Sequence, residues 1–318
     1  MFSEDNAPPP VILITGSTGF VGRRLTRRLR EALPADSRIV AAGHAYTSGE
    51  EGVSDIRIDL EDDASVTAAV AEVRPDFVIH LAARASVGQA IKTAGTTWAV
   101  NLGGSLALAR AMAVHTPNAT LLYASSCEVY GRAFNDGTVS EDTVPEPLTA
   151  YACSKRAAEM MFADVLNGCK LIIARPSNQS GAGQDPRFVL PSFAQQIRSG
   201  APEIRVGNLT ANRDFLHVDD AIDAYMALIF SAQSLPHHSV FNIASGMSRM
   251  VADLLDRMLK LSGSKADIVV DPTRLRPVDI PRASIDASRL TRATGWRPTR
   301  GLDQMLCDVL DSVEIPVA

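Results

Sequence analysis

The sequence predicts an α/β fold: a doubly wound parallel sheet with a smaller C-terminal substrate-binding α/β domain. Three features support this: an early buried strand, a glycine turn directly after it, and alternating strands and helices through residue 120. Parallel sheets are covered by helices on both faces, so their strands read as continuous apolar runs. With 318 residues the chain exceeds one ordinary domain. We expect a flexible lead over 1–10, a nucleotide-binding domain over 11–175 that the chain re-enters near 214–243, and a second domain mainly over 176–318.

The first strand and its turn predict a dinucleotide site. Residues 11–14 are apolar, and Gly16, Gly19 and Gly22 follow before a helical segment. The first glycine permits the tight turn, the second lets a pyrophosphate approach the backbone, and the third lets the helix pack on the strand. A glycine turn without a ligand is the alternative. The other cofactor contacts predicted here are Thr18, Phe20, Val21 and Arg23.

The end of the second predicted strand, residues 38–43, bears on the choice of cofactor. NAD-preferring folds place an acidic residue there to hold the ribose 2′-hydroxyl, and that carboxylate would repel a 2′-phosphate. Here Gly43-His44-Ala45 stands in that place, and Arg23 follows the third glycine. The pattern favours NADP(H). NAD(H) stays open because Glu50 and Glu51 lie a few residues further on.

A tyrosine and a lysine four residues apart predict acid–base chemistry. Predicted strand five, residues 121–124, continues into S-S-C-E-V-Y-G, and Tyr151 and Lys155 follow in a helical segment. Residues four apart share one helix face. An ammonium nearby favours the phenolate, so we expect a lowered Tyr151 pKa and proton exchange with a sugar hydroxyl or ketone. A serine hydroxyl ending the neighbouring strand would polarise the carbonyl.

Taken in this order, the motifs resemble the extended short-chain dehydrogenase/reductases that act on nucleotide sugars, over residues 11 to about 313. The resemblance implies a Rossmann-type fold. In the second half, R-P-S-N-Q-S-G-A-G-Q from residue 175, G-N-L-T-A-N-R-D-F from 207 and R-L-R-P-V-D from 274 are similar to stretches of GDP-6-deoxy-D-mannose reductases. The tail Gly295-Trp296-Arg297-Pro298 is also usual in the family.

The resemblance implies NADPH-dependent reduction of the C4 ketone of a GDP-4-keto-6-deoxyhexose. It assigns Tyr151 as proton donor, Lys155 as its tuning and ribose-binding partner, and Ser126 as the ketone-orienting hydroxyl, with Ser125 as the nearest alternative. Glu128 stands where the 4,6-dehydratase branch has its C5 base. The remaining implied cofactor contacts are Asp59 (against the adenine), Leu60, Leu81, Ala82, Ala83, Asn101 and Pro176. The implied substrate contacts are Ser126, Asn178, Arg187, Val189, Arg213 and Arg276.

Several alternatives stay open. A GDP-mannose 4,6-dehydratase-like or epimerase activity would use the same scaffold, although Cys127 replaces the aspartate that thymidine-sugar dehydratases place before the glutamate. Ser177 and Gln179 replace a family aromatic and histidine, which leaves the sugar undetermined. Each arginine is alternatively a surface ion pair, for example Arg213 with Asp214. Asn101 is alternatively a helix residue bonded to local backbone. A catalytically silent sensor or scaffold is a further alternative.

Composition excludes several other classes. The net charge of −5 and pI near 5.7 argue against nucleic-acid binding. Four scattered cysteines predict reduced thiols in a cytoplasmic protein, with neither disulfides nor a metal site. We expect no membrane span, because no apolar run reaches the required length. Helices near 98–114 and 151–167 are expected to form a four-helix contact in a homodimer, or else only to pack on the sheet. His217-Val-Asp219-Asp220 is predicted to begin a helix with aspartate as N-cap.

Overall fold

The computed structural model describes residues 9–44, 49–85, 93–275 and 278–313, and all structural statements concern these ranges. Ala45, Arg276 and most of the predicted lead lie outside them. The strands are β1 (Val11–Thr15), β2 (Arg38–Gly43), β3 (Val53–Arg57), β4 (Phe77–His80), β5 (Thr120–Ala124), β6 (Lys170–Pro176), β7 (Asn178–Ser180), β8 (Glu203–Val206), β9 (Asn212–His217), β10 (His238–Ile243), β11 (Ser248–Met250) and β12 (Asp267–Val270). The α-helices are α1 (Phe20–Ala32), α2 (Asp63–Val73), α3 (Ala94–Trp98), α4 (Gly104–His115), α5 (Ala150–Val165), α6 (Val189–Arg198), α7 (Val218–Phe230), α8 (Val251–Ser262), α9 (Ser288–Thr294) and α10 (Leu302–Asp311).

A seven-stranded parallel sheet in the order β10-β6-β5-β4-β1-β2-β3 forms the centre. Ile12 and Ile14 of β1 belong to the core beneath α1 and α7, whereas Leu13 belongs to the core beneath α2, α4 and α5. All three side chains are fully buried. The apolar run of β1 is therefore covered on both faces, and the predicted doubly wound α/β fold is confirmed.

Smaller sheets lie beyond the central one. β11, β9 and β7 form one sheet, and β12 pairs with β8 in another. Helices α6, α8 and α10 enclose a separate apolar cluster that includes Leu190, Leu254 and Leu306. Strand β10 returns to the edge of the large sheet beside β6.

Element boundaries differ from the predictions at three places. The sequence predicts a third strand over 56–60. β3 instead runs from Val53 to Arg57, because Asp59 and Asp62 already make the turn that leads into α2. Helices α3 and α4 are joined by a π-helical turn, Ala99–Gly103. The aspartate N-cap predicted for α7 is wrong: the Nδ1 atom of His217 accepts from the Asp219 amide at 3.0 Å.

None of the described helices is both long and apolar enough to cross a membrane.

Candidate active site

A cleft of about 840 Å³ opens at the carboxyl ends of β1, β4, β5 and β6. Ligands of open α/β sheets bind at this edge, and the volume suits a drug-sized molecule or larger. The predicted residues on its wall are Gly16, Thr18, Gly19, Phe20, Val21, Gly22, Arg23, Leu81, Ala83, Ser126, Glu128, Tyr151, Lys155, Pro176, Asn178, Arg187 and Val189. Residues from distant parts of the chain thus meet in one space.

The glycine turn is shaped by close backbone contacts. Gly16 has a φ of +73°, and a Cβ there would lie 2.7 Å from the Ala82 nitrogen. A Cβ on Gly22 would lie 2.1 Å from the Gly16 carbonyl oxygen. Gly19 is the N-cap of α1 and offers no side chain to the first-turn amides. These amides therefore suit an anionic group, as helix N-termini do generally.

Four predicted cofactor contacts lie off the cleft wall. The Asp59 carboxylate lies 3.6 Å from the Nδ1 atom of His44 and accepts from the Glu61 amide. Leu60 faces Gly104, and Ala82 packs its backbone on Gly16. In the described residues, only Ala82 of these three positions touches a residue of the cleft wall, Gly16. A direct contact of each with a cofactor stays a prediction.

Asn101 is the fourth, and it braces the site from behind. Its side chain is 1% exposed. It accepts from the Arg84 amide at 2.8 Å and donates to Ser154 Oγ at 3.1 Å, and Ser154 donates to the Tyr151 carbonyl. These bonds reach 17 and 53 residues along the chain. The alternative of a purely local backbone bond is therefore wrong, since Asn101 ties the loop after β4 to the catalytic helix.

Tyr151, Ser126 and Lys155 meet where β5 ends and α5 begins. Thr149 caps α5 by accepting from the Ala152 amide at 3.1 Å, which places Tyr151 in its first turn. Ser126 and Tyr151 both line the cleft, the Ser126 side chain acts on the Tyr151 phenol, and Ser126 Oγ accepts from the Glu128 amide at 3.2 Å. The Nζ atom of Lys155 donates to the Ala124 carbonyl at 2.6 Å.

The predicted direction of the Tyr151 pKa is wrong. Burial raises the pKa of this phenol well above its usual range, and the hydrogen bond from Ser126 only partly opposes the effect. Burial likewise lowers the pKa of Lys155 to about 7, with the Glu159 carboxylate opposing it. Low-polarity surroundings disfavour both charged forms. The phenol therefore carries its proton at neutral pH, as a proton donor must.

The geometry separates Ser126 from Ser125. Both serines line the cleft, but the Ser125 hydroxyl donates to the enclosed Glu159 carboxylate at 2.5 Å. Ser126 is the serine whose hydroxyl meets Tyr151. The sequence alone did not decide between these two adjacent serines, and the structure favours Ser126.

Glu128 and its neighbour Cys127 face different surroundings. Glu128 lines both the large cleft and a small adjoining cavity. Cys127 is 3% exposed and packs among apolar side chains, where burial raises the pKa of its thiol. Cys127 is thus a neutral core group among the described residues, and it does not supply an acid beside Glu128.

The predicted substrate residues divide into two groups. Asn178, Arg187 and Val189 line the cleft; Asn178 also donates to the Asp214 carbonyl, and Arg187 is 47% exposed beside Asp185. Arg213 lies instead on the small cavity, paired with Asp279 and bonded to the Asn212 and Ile280 carbonyls. The alternative ion pair of Arg213 with Asp214 is wrong, because the Asp214 carboxylate accepts from Ser245 and Met247.

Sequence reasoning missed Tyr225. It lies on α7 and lines the cleft together with Gln179, and burial raises its pKa to about 12. Gln184 also lines the cleft, where it accepts from Ser180 at 2.7 Å. Gln184 lay inside a noted motif, but nothing in the sequence around Tyr225 marks it as a wall of this site.

The chain is similar to known proteins over nearly its whole length. A family model described as the NAD dependent epimerase/dehydratase family matches residues 12–244. The GDP-6-deoxy-D-mannose reductase of Pseudomonas aeruginosa is 32% identical over 311 residues, which is 95% of this chain and 97% of that protein. The GDP-6-deoxy-D-talose 4-dehydrogenase of Aggregatibacter actinomycetemcomitans is 27% identical, covering 89% of this chain and 91% of that one.

Two solved structures share the whole fold. RMD from Pseudomonas aeruginosa, complexed with NADPH, has a TM-score of 0.78 at 31% identity, covering 95% of this chain and 98% of that chain. The UDP-glucose 4-epimerase of Thermus thermophilus in complex with NAD has a TM-score of 0.84 at 27% identity, again covering 95% and 98%. Both NADPH and NAD therefore occur in proteins of this fold.

Proposed function

The chain belongs to the NAD dependent epimerase/dehydratase family and is an NAD(P)-dependent enzyme of nucleotide sugars, and we propose that it reduces the C4 ketone of a GDP-4-keto-6-deoxyhexose with NADPH. The observation that carries the proposal is that Tyr151, Ser126 and Lys155 lie together on the wall of the cleft that the glycine turn also lines. A ketone reduction needs a proton donor beside the carbonyl oxygen. The relatives named for GDP-6-deoxy sugars support the choice of substrate.

The glycine turn fits a dinucleotide. The backbone cradle of Gly16 and Gly22 leaves no room for a Cβ, and the uncapped start of α1 suits a pyrophosphate. Arg23 is exposed at the same end of the cleft and suits a 2′-phosphate. NADPH would supply the hydride when bound. The other residues proposed to contact the dinucleotide are Thr18, Gly19, Phe20, Val21, Asp59, Leu60, Leu81, Ala82, Ala83, Asn101 and Pro176.

Each catalytic side chain has a distinct task in the proposal. Ser126 orients the ketone by a hydrogen bond to its oxygen, and Tyr151 gives its proton to the same oxygen. Lys155 hydrogen-bonds the nicotinamide ribose and assists Tyr151 electrostatically. Asn178, Arg187 and Val189 hold the sugar diphosphate from the cleft wall. Arg213 would bind phosphate oxygens from the adjoining cavity after exchange of its Asp279 partner. Arg276, which lies outside the described residues, is proposed to bind phosphate oxygens as well.

A dehydratase or epimerase activity is the second candidate, because Glu128 reaches the cleft wall. Elimination at C5 and C6 needs both a base and an acid for the leaving hydroxyl. The buried thiol of Cys127 occupies the position next to Glu128 and, with its raised pKa, offers no such acid in the described structure. This observation favours the reductase.

We further propose that the dinucleotide binds within 11–175 and the sugar mainly against 176–318, and that the protein is a homodimer. Helices α3, α4 and α5 expose Trp98, Val114 and Met160 to 37%, 73% and 59%. Two copies of this face would bury these side chains in a four-helix contact. Sedimentation analysis tests the dimer, and Met160→Glu is expected to weaken it.

The substrate is tested by spectrophotometric oxidation of NADPH and NADH, with GDP- and dTDP-linked 4-keto-6-deoxy sugars supplied in parallel. The proposal predicts that NADPH with the GDP-linked sugar gives the highest kcat/KM. Turnover of the sugar without net loss of NADPH would instead establish the dehydratase or epimerase alternative.

A further inference from the structure

Glu159 is an enclosed carboxylate that the proposed mechanism does not use. It lies one helical turn after Lys155 on α5, and its side chain is 0% exposed. It accepts from Ser125 at 2.5 Å, from Arg156 at 2.9 Å, and from the Nε and Nη2 atoms of Arg175 at 2.9 and 2.7 Å. A buried carboxylate with this many charge-assisted bonds is rigidly held.

The bonds of Glu159 join the elements that form the catalytic corner. Ser125 directly precedes Ser126, and its amide donates to the Ala174 carbonyl of β6 at 2.8 Å. Arg175 continues the network by donating to the Tyr130 hydroxyl at 3.1 Å. The Tyr130 hydroxyl in turn donates to Asn242 of β10 at 2.7 Å. Glu159 therefore links α5 to the end of β5 and to two further strands.

Glu159 is also the negative charge that acts on Lys155 among the described residues. The other titratable groups facing Lys155 are His80, Tyr123 and Tyr151. Burial lowers the His80 pKa to about 3 and raises those of both tyrosines, so all three are neutral near pH 7. The charges that face Glu159 itself are the guanidinium groups of Arg156 and Arg175.

We propose that Glu159 is a positioning residue for the ketone reduction. Its bond to Ser125 fixes the backbone that carries Ser126, and its charge balances the buried ammonium of Lys155. The expected effect of Glu159 on kcat rests on the proposed function. Its expected effect on NADPH binding rests on the geometry alone.

Glu159→Gln removes the charge and keeps the shape. We expect kcat to fall about tenfold or more, with the KM of the sugar within about twofold, because positioning is lost and binding is kept. We also expect the alkaline limb of the kcat profile to move about one pH unit lower, since Lys155 then loses its proton more easily. The pH at which NADPH affinity declines, followed by fluorescence without any sugar, should move in the same direction. Glu203→Gln, an exposed glutamate paired with Arg205, is the matched control and should change neither.

Ser125→Ala keeps the Glu159–Arg175 pair, so it remains informative if Glu159→Gln does not fold. We expect a lowered kcat with an unshifted alkaline limb, and substantial recovery in Ser125→Thr, which restores a hydroxyl. Wild-type kcat in Ser125→Ala overturns the positioning role. An unshifted NADPH-binding profile in folded Glu159→Gln overturns the charge-balancing role. If wild-type protein binds NADPH but reduces no GDP-linked ketosugar, the proposed function fails, while the binding profile still decides the role of Glu159.

Discussion

The Nζ atom of Lys155 lies 2.6 Å from the carbonyl oxygen of Ala124 and donates a hydrogen bond to it. This contact joins helix α5 to the end of β5, two residues before Ser126. The same ammonium lies 4.8 Å from the centre of the Tyr123 ring and is 3% exposed. The protein thus holds an ionisable amine in its interior at the point where the proposed chemistry occurs.

The buried ammonium of Lys155 predicts a pH-dependent stability. Its pKa is lowered to about 7 in the folded protein, below the ordinary value of 10.5. Between these values the unfolded chain binds more protons, so stability rises with pH. Relative to Lys155→Met, the wild-type free energy of unfolding should gain up to about 1.4 kcal/mol per pH unit in this window. Urea denaturation from pH 6 to 10 measures it, and parallel curves for the two proteins would contradict it.

Tyr151→Phe removes the proposed proton donor with little change of shape. We expect kcat to fall by roughly 10²–10⁴-fold, the usual contribution of a positioned general acid. NADPH affinity and the melting temperature should stay close to wild type, because the ring remains buried. Steady-state kinetics with fluorescence titration measures both quantities. A variant with nearly wild-type turnover would show that another group delivers the proton.

The glycine cradle predicts a steric effect at Gly22. Alanine there would place a Cβ 2.1 Å from the Gly16 oxygen, so Gly22→Ala should lower the free energy of unfolding by about 1–3 kcal/mol and weaken NADPH binding. Gly95→Ala is the control, because a Cβ on Gly95 in helix α3 meets nothing within 4 Å. Thermal melts and NADPH titration measure the pair. Equal melting temperatures and equal NADPH affinities in the two variants would contradict the steric effect at Gly22.

Arg23 predicts the preference between the two cofactors. Its side chain is exposed on the cleft wall, where a guanidinium can bind a 2′-phosphate. Arg23→Ala should raise the Kd of NADPH about tenfold and leave that of NADH nearly unchanged. Arg27, also exposed on α1, is absent from the described cleft wall and provides the control. An equal loss for NADPH and NADH in Arg23→Ala would remove the basis for the NADP preference.

The central sheet and the glycine turn were predictable because each depends on contiguous residues. β1 with its turn fits within residues 11–22, and Tyr151 and Lys155 are fixed relative to each other by one helical turn. Local spacing determines such geometry whatever surrounds it. The same reasoning placed β2 at its observed bounds.

Most of the features that the sequence did not predict depend on contacts between residues far apart in the chain. Ser125 pairs with Glu159 across 34 residues, and Arg213 with Asp279 across 66. Burial raises the Tyr151 pKa, and electrostatic interaction with a residue as distant as Tyr225 adds to the effect, so the adjacent lysine alone gave the wrong direction. His217 replaced the expected aspartate as N-cap because its ring nitrogen already lies beside the Asp219 amide.

The central proposal is that the protein reduces the C4 ketone of a GDP-linked sugar with the hydride of NADPH. The most direct measurement mixes the protein with GDP-4-keto-6-deoxymannose and NADPH deuterated at the transferable position, then counts NADPH consumed and locates the deuterium in the product. We predict one NADPH oxidised per product molecule, with the deuterium at C4 of the sugar. A product formed without NADPH consumption, or one that carries the deuterium elsewhere, would contradict it.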